Sequence, residues 1–326
     1  MTEPPGGAVS LTAPPPADTS SKTLSAQRVV PLRRPGRWAV TVVVLVVVAQ
    51  IAHGLATNPF YQWDRFRYWF LRPTILDGLL ITLEVTALSA VLGLLGGILL
   101  ALGRLSGSPV LRAVSWTYTW LFRSVPLIVV LIFLYNFSAL YRTVSLGVPF
   151  GPAFVTFDES RLATDMAVAV VGLGLNEAAY ASEVVRGGIL SVDQGQHEAA
   201  AALGLPKRYQ FTRIVFPQAL RSITPNYVNQ LIGLIKSTSL VFYVSLLDLF
   251  GAVQTMGSTY PGDIVPLLLV ATVWYLILTS VVSVVQFYVE RYFARGATRT
   301  LPPTPWQRAR SGLAGLRARL RREAAV

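Results

Sequence analysis

The 326-residue sequence contains no cysteine and only two histidines, His53 and His197. Without cysteine the chain has no disulfide bond, no thiolate metal ligand and no thiol nucleophile. The pattern G-x-x-x-x-G-K-[ST], whose backbone binds nucleotide phosphates, is missing. The patterns G-x-S-x-G and H-E-x-x-H are missing as well. We therefore expect no catalytic residue, metal site or cofactor on this chain, and any ATP that powers it must bind to another subunit.

Charged residues are also scarce, at 13% of the chain, while 53% of the residues are hydrophobic and the mean hydropathy is +0.52. Soluble domains carry about 25% charged residues. This composition predicts an all-α integral membrane protein. The net charge of +12 does not indicate a nucleic-acid partner, because the basic residues are spread over loops and two tails. In a membrane protein such a surplus is the usual cytoplasmic bias of Lys and Arg.

Six apolar stretches could cross the lipid bilayer as helices. They lie at about 38–56, 76–103, 113–140, 164–190, 226–256 and 264–290. Residues 1–27 are rich in Pro, Gly, Ser and Thr, so we expect a disordered tail there. The stretch 38–56 could belong to a signal peptide, but it begins far from the N-terminus and no clear small-x-small cleavage site follows. We interpret it as an additional, retained span.

The distribution of the 28 Lys and Arg residues predicts the orientation of the spans. If the N-terminus is cytoplasmic, most of these residues fall in the tails and inner loops, where positive charge collects. We therefore expect both termini to be cytoplasmic. Residues 294–326 would form a basic tail in which Leu313, Leu316 and Leu320 share one helix face. This pattern suits a helix on the membrane surface and a solvated tail equally.

Ionisable side chains within a span are costly in hydrocarbon, so each is a candidate for function. The candidates are Glu84, Arg123, Glu177, Glu183, Lys236 and Asp248. In the fourth span, polar and small residues recur every three or four positions and share one helix face. They are Gly172, Asn176, Tyr180, Glu183 and Gly187. Such a face meets either another helix or a water-filled path.

From these observations we select a set of candidate substrate-path residues. The set comprises Asn176, Tyr180, Glu183, Glu84, Arg123 and Lys236. Glu183 is the strongest of them, because packing explains a carboxylate within a span less readily than it explains an amide. Contact between helices is the alternative role for each member.

A polar, basic segment at 198–217 separates the fourth span from the fifth. Its alanine run at 199–202 favours a helix, which Gly204 and Pro206 are expected to end. Phe216-Pro217 is expected to be a second stop. Because a short, broken, basic helix does not suit hydrocarbon, the segment predicts a docking surface for a soluble cytoplasmic partner.

The same segment resembles the EAA loop of the integral-membrane permease subunits of bacterial ABC importers. The pattern of that loop is E-A-A, three residues, G, nine residues, I, one residue, L-P. The residues that match in position are Glu198, Ala199, Ala200, Gly204, Ile214, Phe216 and Pro217, with Phe in place of Leu. FRSVP at 122–126, AYASEVVRGGI at 179–189 and KSTSL at 236–240 are further similar to the polar amino-acid (histidine/glutamate/glutamine/arginine) permease family.

The resemblance implies the type-I ABC importer transmembrane fold, with a five-span core at 75–293 and the additional N-terminal span at 38–56. It implies polar amino-acid substrates, a second permease subunit, an extracytoplasmic solute-binding protein and cytoplasmic ABC ATPase subunits that bind ATP-Mg. The EAA loop, at about 193–222, would couple the ATPase to the spans. The protein would lie in the cytoplasmic membrane and bind no nucleic acid.

Two other classes compete with this interpretation. A secondary transporter driven by an ion gradient would need internal repeats and its own ion site, and the sequence contains no convincing inverted repeat. An enzyme embedded in the membrane would need a nucleophile with a base, or a metal site. The sequence contains neither arrangement.

Overall fold

The computed structural model describes residues 35–137, 143–148, 152–158, 164–293 and 310. The expectations for the tail 1–27 and for almost all of the tail 294–326 lie outside these residues. The chain divides into two compact units, Met1–Asn58 and Pro59–Val326. In the first unit, α1 (Pro35–Thr57) covers the stretch predicted as the additional span. Its long run of Val, Leu, Ile and Ala residues is long and apolar enough to cross a membrane.

The second unit consists mainly of helices. They are α2 (Trp63–Phe70), α3 (Pro73–Leu105), α4 (Pro109–Ser124), α5 (Leu127–Tyr135), α6 (Asp165–Leu190), α7 (Gln194–Ala202), α8 (Phe216–Ser237), α9 (Leu249–Thr259) and α10 (Ile264–Phe293). In the described part of the chain, α1, α3, α6 and α10 can each cross a membrane alone, and two bent pairs bring the number of candidate spans to six.

The predicted third span is not one helix, because α4 and α5 meet at an angle of 100°. The break falls at Val125-Pro126, where the proline ring fixes φ and removes a backbone donor. The predicted fifth span is also interrupted. After α8 the chain forms a 3₁₀ segment, Thr238–Val244, and Ser245 adopts a left-handed conformation with φ of 64°. The chain bends by 47° between the helical segment Lys207–Val244 and α9.

A short β-hairpin lies between α5 and α6, in the interval between the predicted third and fourth spans. Strand β1 (Thr143–Gly147) pairs antiparallel with β2 (Ala153–Asp158). The register aligns Thr143 with Asp158 and Leu146 with Val155, and it shifts after Leu146. Alternating β-branched and aromatic residues favour these strands, but segments this short carry a weak signal in the sequence.

Close packing of α3 against α6 forms the centre of the second unit. A Cβ atom added to Gly97 would lie 2.6 Å from Ala181 Cβ and 2.9 Å from Ser182 N. Only a residue without a side chain permits this approach, as is common where helices pack in membranes. Three clusters of buried apolar residues surround the pair, one of them joining α3, α5, α6 and α8. The helices that carry the candidate residues are thus held in contact.

Candidate functional site

The polar segment begins with α7, whose two ends are capped by local hydrogen bonds. Asp193 Oδ1 accepts a 2.7 Å hydrogen bond from the Gly195 amide at the N-terminal end. At the C-terminal end Gly204 has a φ of 68°. Its amide donates to Ala201 O, and the Leu205 amide donates to Ala200 O. This is a Schellman motif, so the helix ends at Gly204 as predicted.

The second predicted stop, at Phe216-Pro217, is wrong. The chain re-enters a helix at Lys207–Tyr209, forms a π-helical turn at Gln210–Val215 and continues directly into α8. Proline is tolerated in the first turn of a helix, and the preceding π turn changes the hydrogen-bond register ahead of it. The segment is therefore joined to α8 without a break.

The polar segment is anchored in the protein where it continues into α8, and its tip around α7 is exposed. Val215, Ala219 and Ile223 are buried, and the latter two pack in one cluster with Ala101 of α3 and Val185 of α6. Of the seven residues that match the EAA loop, Ala200 is buried and Ile214 half-buried. The other five, Glu198, Ala199, Gly204, Phe216 and Pro217, are exposed. This surface is open to a partner.

A polar cavity of about 740 Å³ lies between α6, α8 and the break that separates α4 from α5. Four of the six candidate substrate-path residues line it: Arg123, Asn176, Tyr180 and Lys236. Its other polar side chains belong to Ser124, Glu177, Asn229, Gln230 and Ser237. A cavity of this size is large enough for a small polar molecule.

Two contacts position the cavity wall at the break. Asn176 Nδ2 donates a 2.9 Å hydrogen bond to Phe122 O. The Arg123 guanidinium carbon lies 5.4 Å from the centre of the Tyr180 ring, within cation–π distance. Both contacts join α6 to the last turn of α4, so the break and the polar face of α6 form one wall.

Glu177 lines the cavity, whereas the polar pattern of the fourth span favoured Glu183. Glu177 is 5% exposed, and its Oε1 atom has no hydrogen-bond partner within the described structure. It was one of the six ionisable candidates, but periodicity alone did not separate it from the others. Its position one residue after Asn176, at the centre of the polar span, was the available signal.

Glu183 and Glu84 do not line this cavity. Glu183 pairs with Arg186, at 2.6 Å, and with Arg104 of α3, at 3.5 Å. Glu84 is exposed on α3. A role for either residue in a substrate path stays a prediction.

Asp248 is buried and caps α9. Its Oδ1 accepts a 2.9 Å hydrogen bond from the Gly251 amide, and its Oδ2 accepts hydrogen bonds from Tyr275 and Thr82. Because its oxygens are satisfied within the protein, this carboxylate holds α3, α9 and α10 together.

The structure combines candidate membrane spans, a polar cavity and one helix that connects this cavity to an exposed basic segment. These features define a helical membrane transport protein. The chain belongs to the family described as "Binding-protein-dependent transport system inner membrane component", whose family model matches residues 93–295.

Two relatives and one solved structure illustrate the similarity. Over 274 residues the chain is 41% identical to the arginine transport system permease protein ArgU of Corynebacterium glutamicum, covering 83% of this chain and 84% of the relative. Over 219 residues it is 36% identical to the glutamate/aspartate import permease protein GltK of Escherichia coli, covering 67% and 93%. The structure is of an amino acid ABC transporter with histidines, at 28% identity and a TM-score of 0.58, covering 68% of this chain and 94% of that one.

These findings confirm the predicted class. The chain is an all-α membrane protein of the type-I ABC importer fold, to which the β-hairpin is a small addition. It is a permease subunit of the polar amino-acid family and is similar to transport subunits rather than to enzymes. The alternative of an ion-coupled secondary transporter receives no support from these relatives.

Proposed function

We propose that this chain is the permease subunit of an ATP-driven importer that moves polar amino acids across the cytoplasmic membrane. One observation carries the proposal: α8 connects the exposed segment to the cavity. The helix has 22 residues, which corresponds to about 33 Å. Pro217 lies at its first turn, and Gln230, Gly233 and Lys236 line the cavity near its other end.

In this function the exposed segment is the surface that couples the permease to a cytoplasmic ABC ATPase. Glu198, Ala199 and Gly204 would contact the ATPase, which binds ATP with Mg²⁺. Movement of that contact would be transmitted into α8 through Ala200, Ile214, Phe216 and Pro217. Because the start of α8 is packed against α3 and α6, a push at the tip of the segment would shift helices that line the cavity.

The cavity would be the part of the substrate path that this subunit contributes. Arg123, Asn176, Tyr180 and Lys236 line it, and Glu84 and Glu183 are proposed to act along the same path outside it. The named substrates of the two relatives, arginine and glutamate/aspartate, are polar amino acids. A polar wall between spans supplies partners for such molecules where lipid cannot.

We also propose the orientation and the assembly. Both termini and the coupling segment would be cytoplasmic, with the β-hairpin and α2 on the outer side. An extracytoplasmic solute-binding protein would deliver the amino acid, and a second permease subunit, identical or not, would complete the path. The six candidate spans and the basic inner segments support this arrangement.

Reconstitution into liposomes tests the proposal. The permease, its ATPase and its solute-binding protein should together accumulate a labelled polar amino acid only when ATP is supplied on the ATPase side. Omission of either partner should abolish uptake. Uptake by this chain alone, driven by an ion gradient, would instead establish the secondary transporter.

A further inference from the structure

The carboxyl group of Glu177 is set apart from the other two buried carboxylates in the described structure. Asp248 accepts several hydrogen bonds. Asp263 accepts one from Arg65 Nε and one from Trp69 Nε1, each of 2.9 Å. Glu177 Oε1 is buried without a partner. A buried carboxylate oxygen that no protein group satisfies is costly, so its retention calls for a ligand from outside.

The local packing is built to hold this side chain at the cavity. The Gln230 side chain of α8 lies beside the Glu177 carboxyl group. On α3, a Cβ atom added to Gly93 would overlap the Cβ and Cγ atoms of Glu177. The absence of a side chain at Gly93 therefore creates the space that Glu177 occupies. Both Glu177 and Gln230 line the cavity.

The cavity wall carries both negative and positive side chains. Glu177 is the one acidic residue among the cavity-lining residues, whereas Arg123 and Lys236 are basic. Among the described residues, neither Arg123 nor Lys236 forms a salt bridge. An amino acid carries both an ammonium group and a carboxylate, so such a wall complements the two ends of one molecule.

We propose that Glu177, with the Gln230 amide beside it, is the specificity-determining group that receives a cationic group of the transported amino acid. This inference rests on the proposed function. The cation is an ammonium or a guanidinium, which can come from the α-ammonium group or from a basic side chain. Either would supply the charged donor that Glu177 Oε1 lacks.

The test measures binding of radiolabelled arginine and glutamine to the purified permease–ATPase complex without the solute-binding protein. Glu177→Gln keeps the size of the side chain and removes its charge. We expect it to weaken arginine binding by at least about tenfold, because a hydrogen bond between charged groups is lost. Glu290→Gln, which changes an exposed carboxylate on α10 outside the cavity, is the matched control and should leave binding unchanged.

A second variant separates a binding role from a structural one. Glu177→Gln combined with Gln230→Glu moves the carboxylate across the contact from α6 to α8, and we expect it to restore arginine binding. Equal losses for arginine and glutamine in the single variant would identify the α-ammonium group as the recognised cation. A loss for arginine alone would identify the guanidinium.

Three results would overturn the inference. They are absence of arginine and glutamine binding to the wild-type complex, unchanged binding in Glu177→Gln, and a loss that Gln230→Glu does not restore. The proposed function fails separately, if the wild-type reconstituted importer accumulates no amino acid at all.

Discussion

Asn176 supplies the hydrogen bond that Pro126 cannot give to Phe122. In a continuous helix the Phe122 carbonyl would accept from the amide four residues later, which is that of Pro126, and proline has no N–H. Asn176 Nδ2 takes this place at 2.9 Å. An amide on α6 thus satisfies the carbonyl group that the break after α4 leaves open, and the same residue lines the cavity.

We expect Asn176→Ala to destabilise the protein by about 1–3 kcal/mol, because it leaves the Phe122 carbonyl unsatisfied in a partly buried site. Thermal unfolding of the purified protein measures the effect. Asn229→Ala is the matched control, since Asn229 also lines the cavity but is exposed. Equal unfolding temperatures for the two variants would contradict the proposed importance of this bond.

Gly204→Asp should leave the protein in the membrane but uncouple amino-acid uptake from ATP hydrolysis. The left-handed φ of 68° disfavours residues with a Cβ atom, and no atom lies within 4 Å of a Cβ added there, so no clash contributes. Asp would in addition place a negative charge on the proposed docking surface. Gly204→Asn is the control, because Asn tolerates the left-handed region and carries no charge.

Uptake and ATPase activity of both variants should be measured in the reconstituted complex. We expect ATP hydrolysis to continue in Gly204→Asp while uptake falls, and Gly204→Asn to retain most of its uptake. Uptake at the wild-type level in the Asp variant would refute a coupling role for this turn.

Gly97→Ala should destabilise the contact between α3 and α6 by about 1–3 kcal/mol. The added Cβ atom would lie 2.9 Å from the backbone N of Ser182, so the two helices would have to separate. Gly187→Ala, also on α6, is the control, because no atom lies within 4 Å of a Cβ atom added to Gly187. In detergent the first variant should unfold at a lower temperature than the second, and the reverse order would contradict the packing described.

Asp263→Ala should release the N-terminal part of α2 from the start of α10. It leaves Trp69 Nε1 buried without an acceptor, at a cost of about 1–3 kcal/mol. The Arg65 side chain is half exposed and can turn to water, so its ion pair contributes little. Limited trypsin digestion should cut faster after Arg65 than in the control Asp64→Ala, and equal rates would count against the link.

Glu183→Gln should slow uptake, because it removes the ion pairs that join Glu183 to Arg104 and Arg186. Kinetics across several amino acids distinguish two roles for the residue. A uniform decrease in rate would indicate a structural link between α3 and α6. A selective loss for particular amino acids would make Glu183 a ligand, and wild-type kinetics throughout would exclude both roles.

Local chemistry in the sequence was sufficient to predict the class of protein and the residue at which α7 ends. Long uncharged stretches predict spans wherever they occur, because the cost of charge in hydrocarbon does not depend on the neighbouring helices. Gly204 ends α7 through its own backbone. The stop predicted at Phe216-Pro217 did not occur, because a π turn leads the chain into α8 and accommodates the proline.

Only the tertiary structure decided which acidic residue of α6 faces the cavity. Glu177 and Glu183 lie six residues apart, and successive residues turn by about 100°, so the two side chains leave the helix in different directions. The sequence shows that α6 has a polar face, but the direction of that face depends on what packs around it. Gly93 makes room for Glu177 on one side, and Arg104 pairs with Glu183 on another. Both partners come from α3, more than 70 positions earlier in the chain, and periodicity within a single helix carries no information about them.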